Sequence, residues 1–523
     1  MKKLFFLTIV FSSSVFSQTI KYSFSSEYQT INTHIEGGFY QLNKNEYGEV
    51  YYREGRDMIF QVFDKDFKNL KKQETAILPA NSKKFVYENF FNLQGNIYWF
   101  YSTWEKKTKT EKLFALPLDK NSLTFSAPEI NLIEAHRIAS GEKYHFYPSA
   151  DSSKILVTYR LKPKEKRDQL NKDIIGFNLF DRDLKKLFAS EIEMPYSEAE
   201  MNNLDYEIDS KGNIYLLAEV NINNSVDGIV RIDKENKSPT RYELIRVNQK
   251  NSTLQAIKIN LKEKFTNSVI LSEDFNHNII IAGYYSNKKN SNSSDGAYII
   301  KLELDENNSV KNLQTTYCEF PAETLQAFEK DRIRKRMEKK NKKEDLEAYN
   351  LSFDQISFYE DGSMLIVGEE YYVVTYVYNT GRSIATSYTY YYNDILALKA
   401  DKNGKTIWCK KIPKQQFGST IEDLSFHHHR FKGEDYFFYL DNVKNINLSL
   451  DEYPLPHQAG LGGYLTCVKI DQEGRMTKKN IFDIREEDIR IFPKQFEFIS
   501  ENIIVGRIKS DRRDSKILKL EFN

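Results

Sequence analysis

Residues 204–245 read LDYEIDSKGNIYLLAEVNINNSVDGIVRIDKENKSPTRYELI. Four short apolar runs, LDYEI, NIYLLAEV, DGIVRI and PTRYELI, are separated by the turn-forming DSKG, a loop, and the turn-forming DKENKS. Runs of this length bounded by Asp, Gly, Asn and Ser are strands joined by tight turns. In the second run Ile214, Leu216 and Ala218 alternate with Tyr215 and Leu217, so both faces are apolar and the strand lies between two packed layers. In the last run Arg241 and Glu243 are set against Tyr242 and Leu244, the pattern of an outer strand.

The same order of signals recurs outward from this stretch. Units begin near Gly38, Phe85, Tyr144, Leu204, Ser268, Asp354, Glu422 and Gln495, each with an apolar second strand such as NIYWFYS, KILVTYR, NIIIAGYY or NIIVGRI. The third strand of successive units ends in aspartate, at Asp64, Asp119, Asp181, Asp233, Asp305, Asp401 and Asp471. These are expected to bond back to the backbone of a turn rather than act as acids or metal ligands. Four-stranded units repeated along most of 523 residues predict an all-β fold, a single β-propeller. The last unit has only three strands, and the isolated run TIKYSF at 19–24 can supply the fourth. The count is then eight blades, seven continuous and one split, or seven if one early unit is not a blade.

Lys and Arg total 75 against 74 Asp and Glu, so no global charge draws nucleic acid, and none is expected as a partner. Residues 1–17 have the form of a signal peptide: Lys2 and Lys3, an apolar run over 4–11, and Val15 and Ser17 before a cut ahead of Gln18. Its removal takes the formal +1 to −1. No later run is long and apolar enough to span a membrane, so the mature chain, 18–523, is expected to be exported, periplasmic or extracellular. Cys318, Cys409 and Cys467 all fall in strands, form no CxxC, and are expected to be buried fillers.

Two stretches depart from the repeat. Residues 321–350, PAETLQAFEKDRIRKRMEKKNKKEDLEAYN, predict a charged helical insertion. Leu325, Phe328, Ile333 and Met337 give it a thin apolar stripe, and Arg332, Arg334 and Arg336 open a basic run that is either a solvated face or a docking surface. Residues 369–393, which contain YYVVTYVYNTGRSIATSYTYYYN, predict a long hairpin turning near Asn379–Gly381. Tyr371, Tyr372, Tyr376, Tyr378, Tyr388, Tyr390, Tyr391 and Tyr392 crowd onto it; they either cover one another or bind a ligand. The other long connections, at 102–112, 160–173, 286–296 and 441–463, fall with it on one face of a propeller, the expected working face.

Catalytic signals are few. His427, His428 and His429 lie on a first strand. His427 and His429 share one side and are candidate metal ligands only if Glu207 or His145 joins them. The glycine run 460–463 neither follows a strand nor opens a helix, so it is no dinucleotide site, and no cofactor motif is present. Carboxylates converging at the channel mouth with room for a sugar would favour catalysis.

Residues 401–408, DKNGKTIW, resemble the DxxGxxxW turn-and-strand signature of bacterial repeat propellers, and DSKGNIYLLAEV at 209–220 resembles that family's entry into the second strand. The Lys-, Asn-, Ile- and Tyr-rich composition and short leader resemble exported proteins of the Bacteroidota. That resemblance implies a periplasmic, non-catalytic protein–protein interaction module, such as a plug or accessory subunit of an outer-membrane complex of the type 9 secretion kind. The chain ends on its closing strand, so no cargo-type sorting domain is expected. The alternative is a carbohydrate-active or carbohydrate-binding propeller using the loop-rich face.

Overall fold

The computed structural model describes residues 19–523 except 30, 32–34, 54–56, 78–84, 126–127, 140–142, 164–170, 222–239, 263, 289–290, 306–309, 330–334, 336, 340–346, 380–383 and 511–513. The leader-like segment 1–17 lies outside the described residues. Among them the strands form eight antiparallel-based sheets of four or more strands and one two-stranded sheet, numbered here one to eight along the chain. This is the architecture of a β-propeller.

Sheets one, three, five and seven keep the expected order of four consecutive strands, for example Ile35–Asn43, Glu46–Arg53, Asp57–Asp64 and Leu70–Ile77 in sheet one. In sheet eight Glu497–Ser500, Ile503–Lys509 and Asp514–Phe522 are joined by Ile20–Phe24, which runs antiparallel to Asp514–Phe522 from Ile20↔Phe522 to Phe24↔Leu518.

Sheet four corrects the opening reading. Its strands are Met201–Ile208, Ile214–Asn221, Thr240–Asn248 and Thr253–Ile259. Residues 240–245 are therefore in the third strand, paired with Ile214–Asn221, and not in the outer one. Glu243 is buried because the Arg241 guanidinium binds it at 2.7 Å and the Tyr196 hydroxyl at 2.9 Å. The DGIVRI run and Asp233 lie outside the described residues. A second correction concerns 102–112: the strands Asn96–Glu105 and Thr110–Asp119 fill most of it, leaving a short turn.

The second strands are buried as their pattern requires; every residue of Ile279–Ser286 is. Each Ile or Leu so placed contributes about 1.5–3 kcal/mol. Neighbouring sheets share apolar clusters: Phe60 with Trp99 between sheets one and two, Leu156 with Leu216 between three and four, Ile281 with Leu217 between four and five. Tyr28, Phe63, Phe67, Val505 and Ile517 pack sheet eight on sheet one. Beside them Arg507 Nε donates to the fully buried Glu49 at 2.5 Å, and the guanidinium lies 5.2 Å from the centre of the Tyr51 ring.

The aspartates do what turn aspartates do. Asp64, Asp181, Asp401 and Asp471 each accept from backbone N–H groups two and four residues on, at 2.8–3.1 Å. Trp408, the end of the DxxGxxxW stretch, donates from Nε1 to the Gln472 carbonyl of the next sheet at 3.2 Å. Gly474 makes room for it: at φ +81° it sits where a Cβ would approach the indole to 2.8 Å. The three cysteines are free and buried.

Candidate functional site

Sheet six carries the largest departure from the repeat. Its second and third strands, Met364–Asn379 and Ile384–Ala400, continue past the sheet as a two-stranded ribbon. Nine rungs, from Tyr371↔Tyr392 to Asn379↔Ile384, follow the register shift at Glu369/Tyr371, a reach of roughly 30 Å at the usual rise per residue; the last six are two-stranded. Tyr, Val and Thr dominate, the residues that favour a pleated strand. The register sorts the tyrosines by face. Tyr372, Tyr376 and Tyr378 share one side with Tyr391; Tyr371 shares the other with Tyr388, Tyr390 and Tyr392.

Near the root the rings cover each other. Tyr372 and Tyr391 stack at 4.6 Å and 10°, and Tyr371 and Tyr392 meet at 4.8 Å. Toward the tip they do not: Tyr376, Tyr378 and Tyr388 are 50%, 52% and 49% exposed, and Val377 is 67% exposed. Apolar surface gathered on a projecting element is the usual mark of an interaction site. One edge is braced at the root, where Gln416–Gly418 pairs with Tyr390–Tyr392. Outward of that, no strand pairs with either edge among the described residues.

The root is held by buried charge. Lys414 Nζ lies 2.6 Å from Glu369, donates to the Tyr392 carbonyl at 2.8 Å, and shares Glu369 with the Ser425 hydroxyl. Lys411 reaches Glu329 at 3.0 Å and Asp394 at 3.5 Å. Burial pushes Glu370 up to about 7, helped by the Asp394 charge and opposed by Lys411. Glu329 belongs to the insertion. That insertion forms the short helix Ala322–Gln326; Leu325 and Met337 of its apolar stripe pack on the core between sheets five and six, and the buried Phe328 ring lies 4.6 Å from the Lys411 ammonium. Ile333, Arg332, Arg334 and Arg336 lie outside the described residues.

The first strands of sheets three to six lie side by side, and so do those of sheets eight and one. Register shifts interrupt the first strands of sheets one, two, four, five, six and eight, at Glu36/Phe39, Tyr87/Asn89, Asn203/Asp205, Thr266/Ser268, Phe353/Gln355 and Phe498/Ser500. Such bulges raise the local twist and turn side chains aside. Glu88 and Asp354 occupy two of the bulges. Carboxylates on these strands stitch neighbours together: Asp205 accepts from the Leu271 N–H at 3.0 Å, and Glu497 from the Phe39 N–H at 2.9 Å. Burial raises them all, Glu88 to about 7 and Glu207 to about 8. Glu207 and Glu497 sit between apolar neighbours in the sequence, a signal that could have found those two; Glu88 and Asp354 are each followed by a polar amide residue and carry none.

The three histidines are placed among rings and hydrogen bonds. His427 lies 5.7 Å from Phe496 and His429 4.6 Å from Phe522, and burial pushes them down to about 3 and about 4. His429 Nε2 donates to the Glu501 carbonyl at 3.0 Å. His428 Nε2 donates to the buried Asp435, which also accepts from the Tyr359 hydroxyl at 2.5 Å. Glu207 and His145 are on sheets four and three, and among the described residues no three His, Cys, Asp or Glu side chains are grouped to hold a metal. No described helix is long and apolar enough to cross a membrane.

No family model matches the sequence, and no curated protein does. Solved structures are similar at low identity. The Dos1 propeller shares 9% identity over 95% of this chain and 94% of its own, with a TM-score of 0.40. An uncharacterised protein of Listeria monocytogenes EGD-e shares 8% over 81% of this chain and 92% of its own, with a TM-score of 0.35. For prolyl oligopeptidase B of Galerina marginata the identity is 8% and the TM-score 0.38; the match covers 94% of this chain and 55% of that enzyme. Likeness at this level transfers no activity to this chain.

Proposed function

We propose that the chain is an exported, periplasmic propeller of eight blades that works as a non-catalytic binding module for a protein of the cell envelope. The observation that carries the proposal is the ribbon: six two-stranded rungs projecting beyond the rest of sheet six, with aromatic rings exposed toward its tip on both faces. Rigid tyrosines give large contact area at low entropic cost, and open strand edges accept a partner strand. The pairing of Ile20–Phe24 with Asp514–Phe522 and the cluster between sheets eight and one support eight blades closed by the N-terminal strand. The leader-like start supports export, and the composition supports an envelope partner of the Bacteroidota kind.

Crosslinking in cells tests it. A photo-crosslinking residue in place of Tyr378 is expected to trap a specific envelope protein, and Tyr376→Ser with Tyr378→Ser to lose its capture. An unchanged set of captured proteins in the double variant would remove the ribbon from the binding surface, and turnover of a glycan by the pure protein would overturn the non-catalytic reading.

A further inference from the structure

Two adjoining cavities open along the first strands of sheets two, three and four, one of 560 Å³ and one of 520 Å³, with His145 and Tyr147 walling both. Each falls within the roughly 300–1,000 Å³ of small-molecule sites. They lie on other sheets than the ribbon.

The charged groups of this cleft find hydrogen-bond partners within it. Arg160 binds Asp173 and reaches Glu198 at 3.2 Å. Lys143 binds Glu111 at 2.6 Å. Glu88 accepts from the Ser102 hydroxyl at 2.5 Å, and burial pushes it up to about 7. Asp205 accepts two backbone N–H groups, those of Tyr206 and Leu271. Carboxylates outnumber cations here, Glu88, Glu111, Asp173, Glu198 and Asp205 against Lys143 and Arg160, which disfavours an anionic ligand, while each of the five accepts from a cation, a hydroxyl or a backbone N–H.

Neutral hydrogen-bonding capacity is left over instead. Tyr144, which lines the first cavity, is 5% exposed, and its hydroxyl has no hydrogen-bond partner among the described residues. Asn203, which lines the second, has a buried Oδ1 with no partner among them either. A buried group of this kind calls for an explanation. One is a hydroxyl that can donate to the amide oxygen and accept from the phenol. A ligand hydroxyl does both, and one carrying several hydroxyls serves both ends of the cleft. Tyr147 and Tyr206, from neighbouring sheets, both line the second cavity with ring centres 5.2 Å apart, aromatic surface of the kind that packs on the C–H face of a sugar ring.

We propose that this cleft binds a neutral oligosaccharide, at a site separate from the ribbon. The test is calorimetric titration of the whole protein with cellohexaose, chitohexaose and maltohexaose, and with hexagalacturonate and hexalysine as charged probes. At least one neutral hexasaccharide is expected to bind. Asn203→Ala and Tyr144→Phe are each expected to weaken it about tenfold, the worth of one hydrogen bond, without lowering the unfolding midpoint. Tyr376→Ser on the ribbon is expected to leave it unchanged. The proposal is overturned if no neutral sugar binds, or if a charged probe binds in preference. It is also overturned if Asn203→Ala and Tyr144→Phe bind as the parent does, or if Tyr376→Ser alone abolishes binding.

Discussion

Replacing Lys414 by methionine tests how the ribbon is rooted. The ammonium is 1% exposed; it holds Glu369 at 2.6 Å, the Tyr392 carbonyl at 2.8 Å and Gln416 Oε1 at 3.2 Å. Glu369 is on one strand of the ribbon and Tyr392 on the other, so a single group ties both. Methionine keeps most of the volume, which leaves charge and hydrogen bonding as the terms lost. A buried carboxylate stripped of its partner costs about 3–5 kcal/mol. Part of that cost is escapable, because Glu369 can take a proton. Burial already raises its pKa above the ordinary 4.5 against the pull of Lys414, and without Lys414 it rises further. An acid raised in the folded state binds more protons folded than unfolded between the two values. Its contribution is therefore retained below the unfolded value and lost as pH rises through the folded one. The variant is expected to lose about 3–5 kcal/mol at pH 8 and only about 1–2 kcal/mol near pH 4.5, where the broken hydrogen bonds alone remain. Hydrogen exchange across 364–379 and 384–400 reads this directly, as roughly two to four decades faster opening at pH 8. Equal losses at both pH values, or none, would refute the reasoning.

Arg507→Met strands the buried Glu49 between sheets eight and one and is expected to cost about 3–5 kcal/mol; adding Glu49→Leu should recover most of it, read from urea midpoints. Tyr376→Ser with Tyr378→Ser removes half-exposed rings and should change stability by no more than about 0.5 kcal/mol while partner capture is lost. His427 and His429, pushed down to about 3 and about 4, should stay neutral from pH 5 to 8 by imidazole NMR. Because both folded values lie below the ordinary 6.5, stability should fall as pH drops below it, and His427→Leu should flatten that slope in acid unfolding curves.

Local chemistry made much of the fold legible. Turn aspartates and two-faced apolar second strands announce themselves because each depends on neighbours within a few residues. Sheet four was misread where a distant residue intervened. Arg241 and Glu243 look like an outer strand, yet Tyr196 of the preceding sheet joins them in a buried network. The ribbon was legible as a hairpin, since Tyr and Val alternate along it, but not its root, because Lys414 and Ser425 come from later segments. The bulges of the first strands left no mark in the sequence. They are set by how strands crowd beside one another, and with them went the placement of Glu88 and Asp354. The cleft on sheets two to four was invisible for the same reason.

The pairing of Ile20–Phe24 with Asp514–Phe522 requires two distant segments of the chain to meet before their sheet is complete. These strands lie about five hundred residues apart. Joining such distant ends costs only about 3.5 kcal/mol more than closing a ten-residue hairpin. Five rungs and the burial of Ile20 offset that once their sheet exists. Before then Asp514–Phe522 has an unpaired edge, and edges of this kind recruit other chains. That edge stays open to other chains until Ile20–Phe24 docks on it. Supplying the segment 18–29 as a separate peptide to a chain lacking it should rescue solubility at that step.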